Sequence, residues 1–339
     1  MRQVVVHGTL DEFDARPPVA FRGLVEACIG SAEQLLEQAA EMAELTFCPA
    51  CGGDRLEAAF SKHGYEYRHC GHCWSLFASP RLLPEQMDWY LRGSPAAEYR
   101  RTPSYVEELS LRMDQLSLYQ ANWVAEIASL APADKQIVQV EPRGFQLLRQ
   151  LYRQGVGPLA AAGPLPPSQA PPAELAIDIF SQLADIPGGS AGVGAVFDVF
   201  EHQCDPAGLL TEMHRLLSPG GFLMLTTRSG SGFDIQTLWE HSDVFPLEHV
   251  NLISVEGMHT LLESIGFEVL EISTPGLLDL QIIQRVANQV ENVEIPRFLK
   301  YFLANRDMHS ADRLQEFLQS QRLSSHMRVL ARKSDQPSK

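Results

Sequence analysis

Two closely spaced cysteine pairs constrain the N-terminal part of this chain more strongly than any other feature. The pairs, Cys48-Pro-Ala-Cys51 and Cys70-Gly-His-Cys73, enclose 18 residues, which is a spacing expected of a tetrahedral zinc site. A two-residue gap lets one tight turn aim both thiolates of a pair at a single ion. Because four thiolates leave no open coordination position, we expect a structural zinc ion rather than a catalytic one.

The segment between the two pairs has the pattern of a small β-ribbon, with apolar side chains at Leu56, Tyr65 and Tyr67. A segment of this length cannot build a core of its own, so a bound metal would contribute folding energy directly. His69 and His72 are the substitute ligands if one cysteine is not bound. The two cysteines outside the pairs are predicted to be buried thiols.

Length, composition and charge exclude several classes of protein. The 339 residues exceed the ~100–200 of a typical domain, and 45% of them are apolar, which allows a sizeable core. Charged residues interrupt the apolar stretches before the ~18 residues that a spanning helix needs, and the first residues do not resemble a signal peptide, so we expect a cytoplasmic location. The 27 basic and 42 acidic side chains give a net charge of −15, which disfavours a nucleic-acid partner.

Composition and periodicity divide the chain into five segments. They are an N-terminal helical segment (1–45), a zinc ribbon (46–79), a connector with a long helix (80–132), an α/β domain (133–290) and a C-terminal helical segment with a tail (291–339). In the first segment, apolar residues recur at helical spacing from about Val19 to Leu45. The long helix is predicted from Tyr105 to Leu130, before Pro132.

Short β-rich runs alternate with amphipathic stretches after Gln136, which is typical of a doubly wound, Rossmann-like parallel sheet. The predicted strands and helices of this sheet are 137–140, 144–152, 193–200, 206–217 and 222–227. We expect 267–272 and 280–283 to form a terminal antiparallel strand pair, and 296–330 to be helical. The proline-rich stretch 155–172 is predicted to be a loop in place of a strand, because proline has no ladder donor.

Several motifs, taken in their order, resemble the class I S-adenosylmethionine-dependent methyltransferases, in particular a bacterial branch with an N-terminal zinc ribbon. Besides the cysteine pairs, these motifs are FDVFEHQCDP (197–206), LLSPGGFLMLTT (216–227), PLEHVNLIS (246–254) and LLESIGFEVLEISTPGLLDLQII (261–283). The resemblance implies S-adenosylmethionine as methyl donor and a sugar-containing or other small hydroxylated acceptor. It also implies an association with surface-polysaccharide biosynthesis.

The cofactor-binding turn departs from the pattern of this family, which has an acidic strand residue followed by a glycine-rich turn. Gln139 stands where the family has the acid, bulky residues occupy 141–143, and Gly144 is the one glycine that remains. No acid occurs in 155–172, where the family carries a carboxylate for the ribose hydroxyls. Losing a charged hydrogen-bond partner weakens binding by about tenfold to a hundredfold, so we expect weakened cofactor binding unless another carboxylate reaches the ribose.

The same comparison assigns candidate residues to each role. Glu141 and Glu174 are the candidates for the missing ribose carboxylate. The predicted cofactor-binding residues are Gln139, Glu141, Gly144, Phe200 and Thr227.

Two histidines are the candidates for acid–base work on an acceptor hydroxyl, since imidazole titrates near neutrality. They are His202, with Glu201 beside it as an orienting carboxylate, and His249. The alternative is that each imidazole caps a turn or bridges loops. Arg143, placed at a helix start, would suit an anion in place of the usual cofactor, although a solvent-facing role is the simpler interpretation.

Two functions therefore remain open from the sequence. The first is methyl transfer to a small-molecule acceptor. The second is a catalytically inactive homologue that binds a partner protein or another ligand through the remodelled turn.

Overall fold

The computed structural model describes residues 3–7, 10–38, 41–132, 134–142, 144–163, 174–290 and 293–334. In the N-terminal part the elements are α1 (Glu12–Ala15), α2 (Pro18–Glu37), β1 (Met42–Ala43), β2 (Leu56–Lys62), β3 (Tyr65–Cys70), β4 (Leu76–Ala78), β5 (Arg81–Leu82), α3 (Pro84–Gly93), α4 (Pro95–Tyr99) and α5 (Pro103–Ala128).

The second part of the chain contains the following helices and strands. They are β6 (Gln136–Val140), α6 (Gln146–Arg153), β7 (Leu159–Ala162), β8 (Ile177–Phe180), β9 (Ala191–Phe197), α7 (Pro206–Leu216), β10 (Leu217–Arg228), α8 (Phe233–Leu238), β11 (Asn251–Leu252), α9 (Val255–Ile265), β12 (Phe267–Ser273), α10 (Asp279–Gln289), α11 (Arg297–Asn305), α12 (Met308–Ser320) and β13 (His326–Lys333). Within the described ranges, no helix is long and apolar enough to span a bilayer.

A seven-stranded sheet with the order β12-β13-β10-β9-β6-β7-β8 forms the centre of the molecule. The strands from β8 to β10 run parallel, and β13 runs antiparallel to both β10 and β12. The predicted doubly wound α/β class is therefore confirmed. The chain leaves β6 toward β7 on one side and later reaches β9 on the other, so the carboxyl ends of β6 and β9 border a crevice.

The sheet is covered on both faces, as is usual for parallel strands. All seven residues of β9 are buried. On one face Val196 clusters with Met213 of α7, and on the other Phe197 clusters with Leu148 of α6 and stacks on Trp123 of α5, with 5.7 Å between ring centroids. A ligand can therefore approach this strand only at one of its ends.

A second sheet joins the cysteine-rich segment to the α/β domain. Strands β2, β3 and β4 form an antiparallel ribbon, and β11 extends it by pairing with β4. The predicted ribbon between the cysteine pairs is confirmed in its strands, although part of it belongs to a sheet that the sequence did not indicate.

Two predictions for the C-terminal region are wrong. The apolar run at 280–283 is not a strand but the start of α10, whose Leu280, Ile283 and Val286 are buried on one side. A run of four apolar residues fits a strand and a buried helix equally well. The strand that pairs with β12 is β13, which lies at the end of the predicted helix 296–330 and buries the alternating residues Met327, Val329 and Ala331.

Two boundaries also differ from the prediction. The helix expected to continue to Leu45 ends at Glu37. The strand β7 stands inside the predicted loop 155–172, because its Leu-Ala-Ala-Ala sequence precedes most of the prolines and pairs in parallel with β6. The prolines from 164 onward lie outside the described residues.

Asp279, the first residue of α10, connects the C-terminal strand to the rest of the domain. Its buried carboxylate accepts hydrogen bonds from the Ser325 amide at 2.9 Å and the Gln315 side-chain amide at 2.7 Å, and one from the Ser324 hydroxyl. These bonds fix the chain immediately before β13.

We predict that Asp279→Ala lowers the free energy of unfolding by roughly 2 kcal/mol or more, because it leaves buried donors without their charged acceptor. Urea unfolding of the full chain measures this. Asp134→Ala is the control, since this exposed carboxylate lies 4.0 Å from Lys135 and should change stability by less than about 0.5 kcal/mol. Equal effects of the two substitutions would contradict the role given to Asp279.

Candidate functional site

The four paired cysteines converge on one point, as their spacing predicts. Their sulfur atoms all lie within 4.8 Å of one another. The Cys48 and Cys73 sulfurs are 3.6 Å apart, and so are those of Cys51 and Cys70. A tetrahedron with metal–sulfur bonds of ~2.3 Å has edges of about 3.8 Å, so the cluster has the size to hold a metal ion.

The cysteine cluster is attached to the α/β domain through the start of α9. Ser254 caps this helix by accepting a hydrogen bond from the Gly257 amide at 2.9 Å, and its hydroxyl also donates to the Cys73 carbonyl. The Ser254 amide in turn donates to the Ser75 hydroxyl at 3.1 Å. Cys70 and Cys73 are buried within the same apolar cluster as α9. The cysteine cluster is therefore part of the interface with the α/β domain rather than a separate module.

A cavity of about 340 Å³ opens at the carboxyl ends of β6 and β9, within the size range of small-molecule sites. Helices α2 and α5 cover it, and the sheet forms its floor. Three predicted cofactor residues, Gln139, Glu141 and Gly144, line this cleft together with Phe197 and Asp198. The structure thus brings the altered turn and the end of β9 to one ligand-sized space.

Two acidic residues stand at the strand ends in the left-handed region, which side chains other than glycine rarely adopt. Glu141 follows β6 with φ 43°, and Asp198 follows β9 with φ 54°. The Asp198 carboxylate accepts a hydrogen bond from the Thr226 hydroxyl at 3.0 Å. Backbone strain of this kind is concentrated at functional sites, which marks both residues as part of the site.

The Glu141 side chain reaches from the end of β6 toward the end of β7. A Cβ atom on Gly163, the residue after β7, would lie 2.8 Å from the Glu141 Cγ atom. The Gln203 side-chain amide approaches the Glu141 carboxylate at 3.4 Å from the other side. The Glu141 side chain therefore lies between the end of β7 and the segment that follows β9.

Two arginines contribute positive charge to the cleft, and they differ in their partners. Arg16 pairs with Asp243 at 2.5 Å and with Glu12 at 3.4 Å. Arg112 of α5 has no hydrogen-bond or ion-pair partner among the described residues. Burial, followed by repulsion from Arg16, lowers the pKa of Arg112, while the Asp198 carboxylate acts in the opposite direction.

A further polar atom of the cleft lacks a partner. The side-chain oxygen of Gln139 is buried and accepts no hydrogen bond within the part of the chain that is described. An unsatisfied buried acceptor costs free energy. Such an atom at the wall of a cavity therefore indicates that a bound ligand donates a hydrogen bond to it.

The other predicted site residues are not among the described residues that line the cleft. Phe200 and Thr227 are fully buried, and the Thr227 hydroxyl donates to the Glu201 carboxylate at 2.9 Å. His202 is 5% exposed. The hydrogen bond between Glu201 and Thr227 links the segment after β9 to the end of β10. These two side chains therefore hold the ends of the two strands in place.

His249 is held by its backbone and by its ring. Its carbonyl accepts a hydrogen bond from the Tyr67 hydroxyl at 2.9 Å, and its Nδ1 accepts one from the Phe245 amide at 3.0 Å. Burial first, and then the Arg228 guanidinium, lower the pKa of His249 well below 6.5. The neutral ring therefore carries its proton on Nε2, an arrangement that suits a hydrogen-bond donor better than a proton acceptor.

Sequence reasoning missed Asp198, Arg16 and Arg112 as residues of the site. Asp198 stands inside the FDVFEH motif and could have been found as a strand-end acid. Arg16 lies between α1 and α2 and Arg112 lies in α5, outside the motifs of the α/β domain, so no motif marked them. Arg143, proposed for an anion, lies outside the described residues.

Comparison with known proteins supports the resemblance that the motifs indicate. Residues 118–272 match a family model described as a methyltransferase domain. This segment contains β6 to β10, so the predicted resemblance to class I S-adenosylmethionine-dependent methyltransferases is confirmed for the α/β part of the chain. No curated protein matches the chain.

Several solved structures are similar to the chain. One is the 1,6-didemethyltoxoflavin-N1-methyltransferase of Burkholderia thailandensis, described with bound 1,6-didemethyltoxoflavin and S-adenosylhomocysteine (14% identity, 82% of this chain, 100% of that chain, TM-score 0.44). Another is the geranyl diphosphate C-methyltransferase of Streptomyces coelicolor (12% identity, 69% and 85% covered, TM-score 0.43). A third is an S-adenosylmethionine-dependent methyltransferase of Mesorhizobium loti (13% identity, 62% and 97% covered, TM-score 0.36).

We predict that the purified full chain carries about one metal ion and that Cys51→Ser loses it. Loss of a ligand should lower the free energy of unfolding by at least ~2 kcal/mol, because metal binding contributes directly to folding. Elemental analysis and thermal unfolding measure the two effects. Cys204→Ser, which alters a thiol outside the cluster, should keep both unchanged. If the wild-type protein contains no metal, or unfolds at the same temperature after its metal is removed, the cysteines need no ion to stabilise the fold.

We also predict that His249→Asn reduces the loss of stability on acidification. The unfolded imidazole takes up a proton near pH 6.5, whereas the folded ring does so only at lower pH, so stability falls as the pH drops below 6.5. Asparagine offers a neutral acceptor to the Phe245 amide. The slope of unfolding free energy against pH should therefore decrease by up to about 1.4 kcal/mol per pH unit. The exposed His309→Asn is the control, and an unchanged slope for His249→Asn would contradict the assignment.

Proposed function

We propose, from the premise that residues 118–272 are a methyltransferase domain, that this protein transfers a methyl group from S-adenosylmethionine to a sugar-containing or other small hydroxylated acceptor. The observation that carries the proposal is the cleft at the carboxyl ends of β6 and β9, where Gln139, Glu141 and Gly144 line one space. Ligands of doubly wound sheets bind at such a crossing point.

The residues of the cleft fit the cofactor, including the part that the sequence left without a partner. The family places a carboxylate for the ribose at the end of the strand that corresponds to β7. Here Glu141 reaches that end, since its Cγ atom lies against the Cβ position of Gly163. We infer that Glu141 replaces the missing acid, and that the buried oxygen of Gln139 accepts a hydrogen bond from the cofactor.

When bound, S-adenosylmethionine would supply a methyl group activated by its positively charged sulfur, and the carbon–sulfur electron pair would stay with that sulfur in S-adenosylhomocysteine. The acceptor oxygen provides the electron pair of the new bond and must lose its proton. Asp198 is the cleft-lining carboxylate at the end of β9, and we infer that it receives this proton. His202, His249 and Glu201 remain predictions for this role, and none of them is among the described residues that line the cleft.

We further infer that the cysteine cluster binds zinc in a structural role. Four thiolates prefer zinc and leave it no open position. The position of the cluster against the start of α9 supports a contribution to the packing of the ribbon on the domain.

A second candidate is the binding protein without transfer activity. The observation that favours it is the bulky turn, in which Glu141 takes a left-handed conformation that the family gives to smaller residues. Cofactor binding separates the two candidates, since a ribbon-bearing binding protein needs no methyl donor.

We predict that the full-length protein binds S-adenosylhomocysteine in isothermal titration calorimetry, and that Glu141→Gln weakens this binding by roughly tenfold to a hundredfold, as the loss of a charged hydrogen-bond partner does. Glu174→Gln is the matched control, because Glu174 is the exposed alternative acid. A larger effect at Glu174 than at Glu141 would assign the ribose to the other acid. Absence of heat with the wild-type protein would overturn the methyltransferase proposal and favour the second candidate.

A further inference from the structure

The cleft has two chemically different halves. The half beside the sheet is polar, with Gln139, Glu141 and Asp198. The half between the covering helices is mainly apolar, with Tyr105, Ser117 and Gln120 as its uncharged polar residues. Its walls are formed by Ala20, Phe21 and Leu24 of α2 and by Leu109, Met113 and Leu116 of α5.

An apolar wall restricts what this half of the cleft can bind. A sugar carries hydroxyl groups on all sides, and each one that loses water without gaining a hydrogen bond costs free energy. Ser117 is a polar residue of this half, but its hydroxyl already donates to the Asp114 carbonyl at 2.9 Å. An apolar ring or chain suits these walls, because its burial releases water without leaving polar groups unsatisfied.

Arg112 adds one charge to this apolar half. Its guanidinium lies on α5 between Leu109 and Met113 in sequence and lines the cleft. Within the described ranges it pairs with no carboxylate and donates no hydrogen bond, whereas the neighbouring Arg16 is held by Asp243 and Glu12. The Asp198 carboxylate attracts this guanidinium without forming an ion pair with it, so a ligand anion can complete the site of a half-buried cation.

Arg112 is therefore the recognition element that the fold itself leaves unused. Planar guanidinium groups bind carboxylates with paired hydrogen bonds. The unsatisfied Gln139 oxygen stands in the polar half, so a ligand that spans the cleft meets an apolar wall, a cation and a polar floor.

We propose that the methyl acceptor is a small apolar organic acid, with its hydrocarbon or aromatic body between α2 and α5, its carboxylate on Arg112 and its hydroxyl toward Asp198. The inference rests on the proposed function and decides between the two acceptor classes that the sequence left open, in favour of a small hydroxylated molecule over a sugar. The methyl transfer is the step given above, with the acceptor hydroxyl proton passing to Asp198.

The test uses matched pairs of probes that differ in charge alone. The probes are 4-hydroxyphenylacetate with 4-hydroxyphenylacetamide, 8-hydroxyoctanoate with 8-hydroxyoctanamide, and methyl glucoside. Calorimetry with the full-length protein, with and without saturating S-adenosylhomocysteine, should show that at least one acid binds about tenfold or more tightly than its amide, as expected of a charged hydrogen bond. Methyl glucoside should bind more weakly than that acid.

Variants assign the charge preference to Arg112. Arg112→Gln should remove the preference for acid over amide, and Arg112→Lys should restore part of it. Arg153→Gln is the matched control, since Arg153 is an exposed arginine at the end of α6. Circular dichroism and thermal unfolding establish that each variant is folded.

Three outcomes would overturn the inference. The first is that no acid binds better than its amide, and the second is that methyl glucoside binds best. The third is that Arg112→Gln weakens the binding of S-adenosylhomocysteine but not that of the acid, which would assign Arg112 to the carboxylate of the cofactor. These three outcomes count against the inference when the wild-type protein binds S-adenosylhomocysteine. If the wild-type protein does not bind S-adenosylhomocysteine, the proposed function itself is overturned.

Discussion

The parallel pairing of β6 with β9 is the constraint on which the rest of this structure depends. Both faces of the two strands are covered by helices, so their side chains are committed to the core. The chain leaves the carboxyl ends of β6 and β9 in opposite directions. Polar side chains can therefore lie at these two ends without being buried in the core. Glu141 and Asp198 occupy these ends in the left-handed region, so the same topology that closes the core also concentrates strained acids at the cleft.

The N-terminal residues complete the cleft through buried charges rather than through the sheet. Arg16 and Arg285 share the Asp243 carboxylate, each at 2.5 Å, and both contact Glu12. Such a network is costly to leave incomplete, because each ion is partly removed from water. It fixes the start of α2 over the crevice, and this gives the space beside the strand ends a second wall.

The cysteine-rich ribbon acts on the other side of the domain. Its strands continue into a sheet with β11, and Ser254 binds it to the start of α9. The ribbon therefore supports the loop that contains His249, whose carbonyl accepts the Tyr67 hydroxyl. Through these contacts a metal ion at the cysteines would stabilise the loop that contains His249 without touching it.

Local patterns predicted the cysteine cluster, the helix α5 and the positions of β6, β9, β10 and β12, because these depend on spacing between residues that are near in the sequence. The same patterns failed at 280–283 and at β13, where a short apolar run fits a helix as well as a strand until its partners are known. Of the residues that line the cleft, the sequence predicted only some of those at the sheet, namely Gln139, Glu141 and Gly144. The other wall of the cleft comes from α2 and α5, whose periodicity indicates buried helices but not what they cover.

The sequence by itself therefore determined the class of sheet, the four thiolates and the altered turn with Gln139, Glu141 and Gly144. Only the tertiary structure decided that Glu141 reaches the end of β7, that Asp198 lines the cleft and that Arg112 lines the same space with no ion pair among the described residues. The physical reason is that spacing along the chain specifies which groups can share a turn. Which charges meet across a cavity depends on packing between segments that are not neighbours in the sequence.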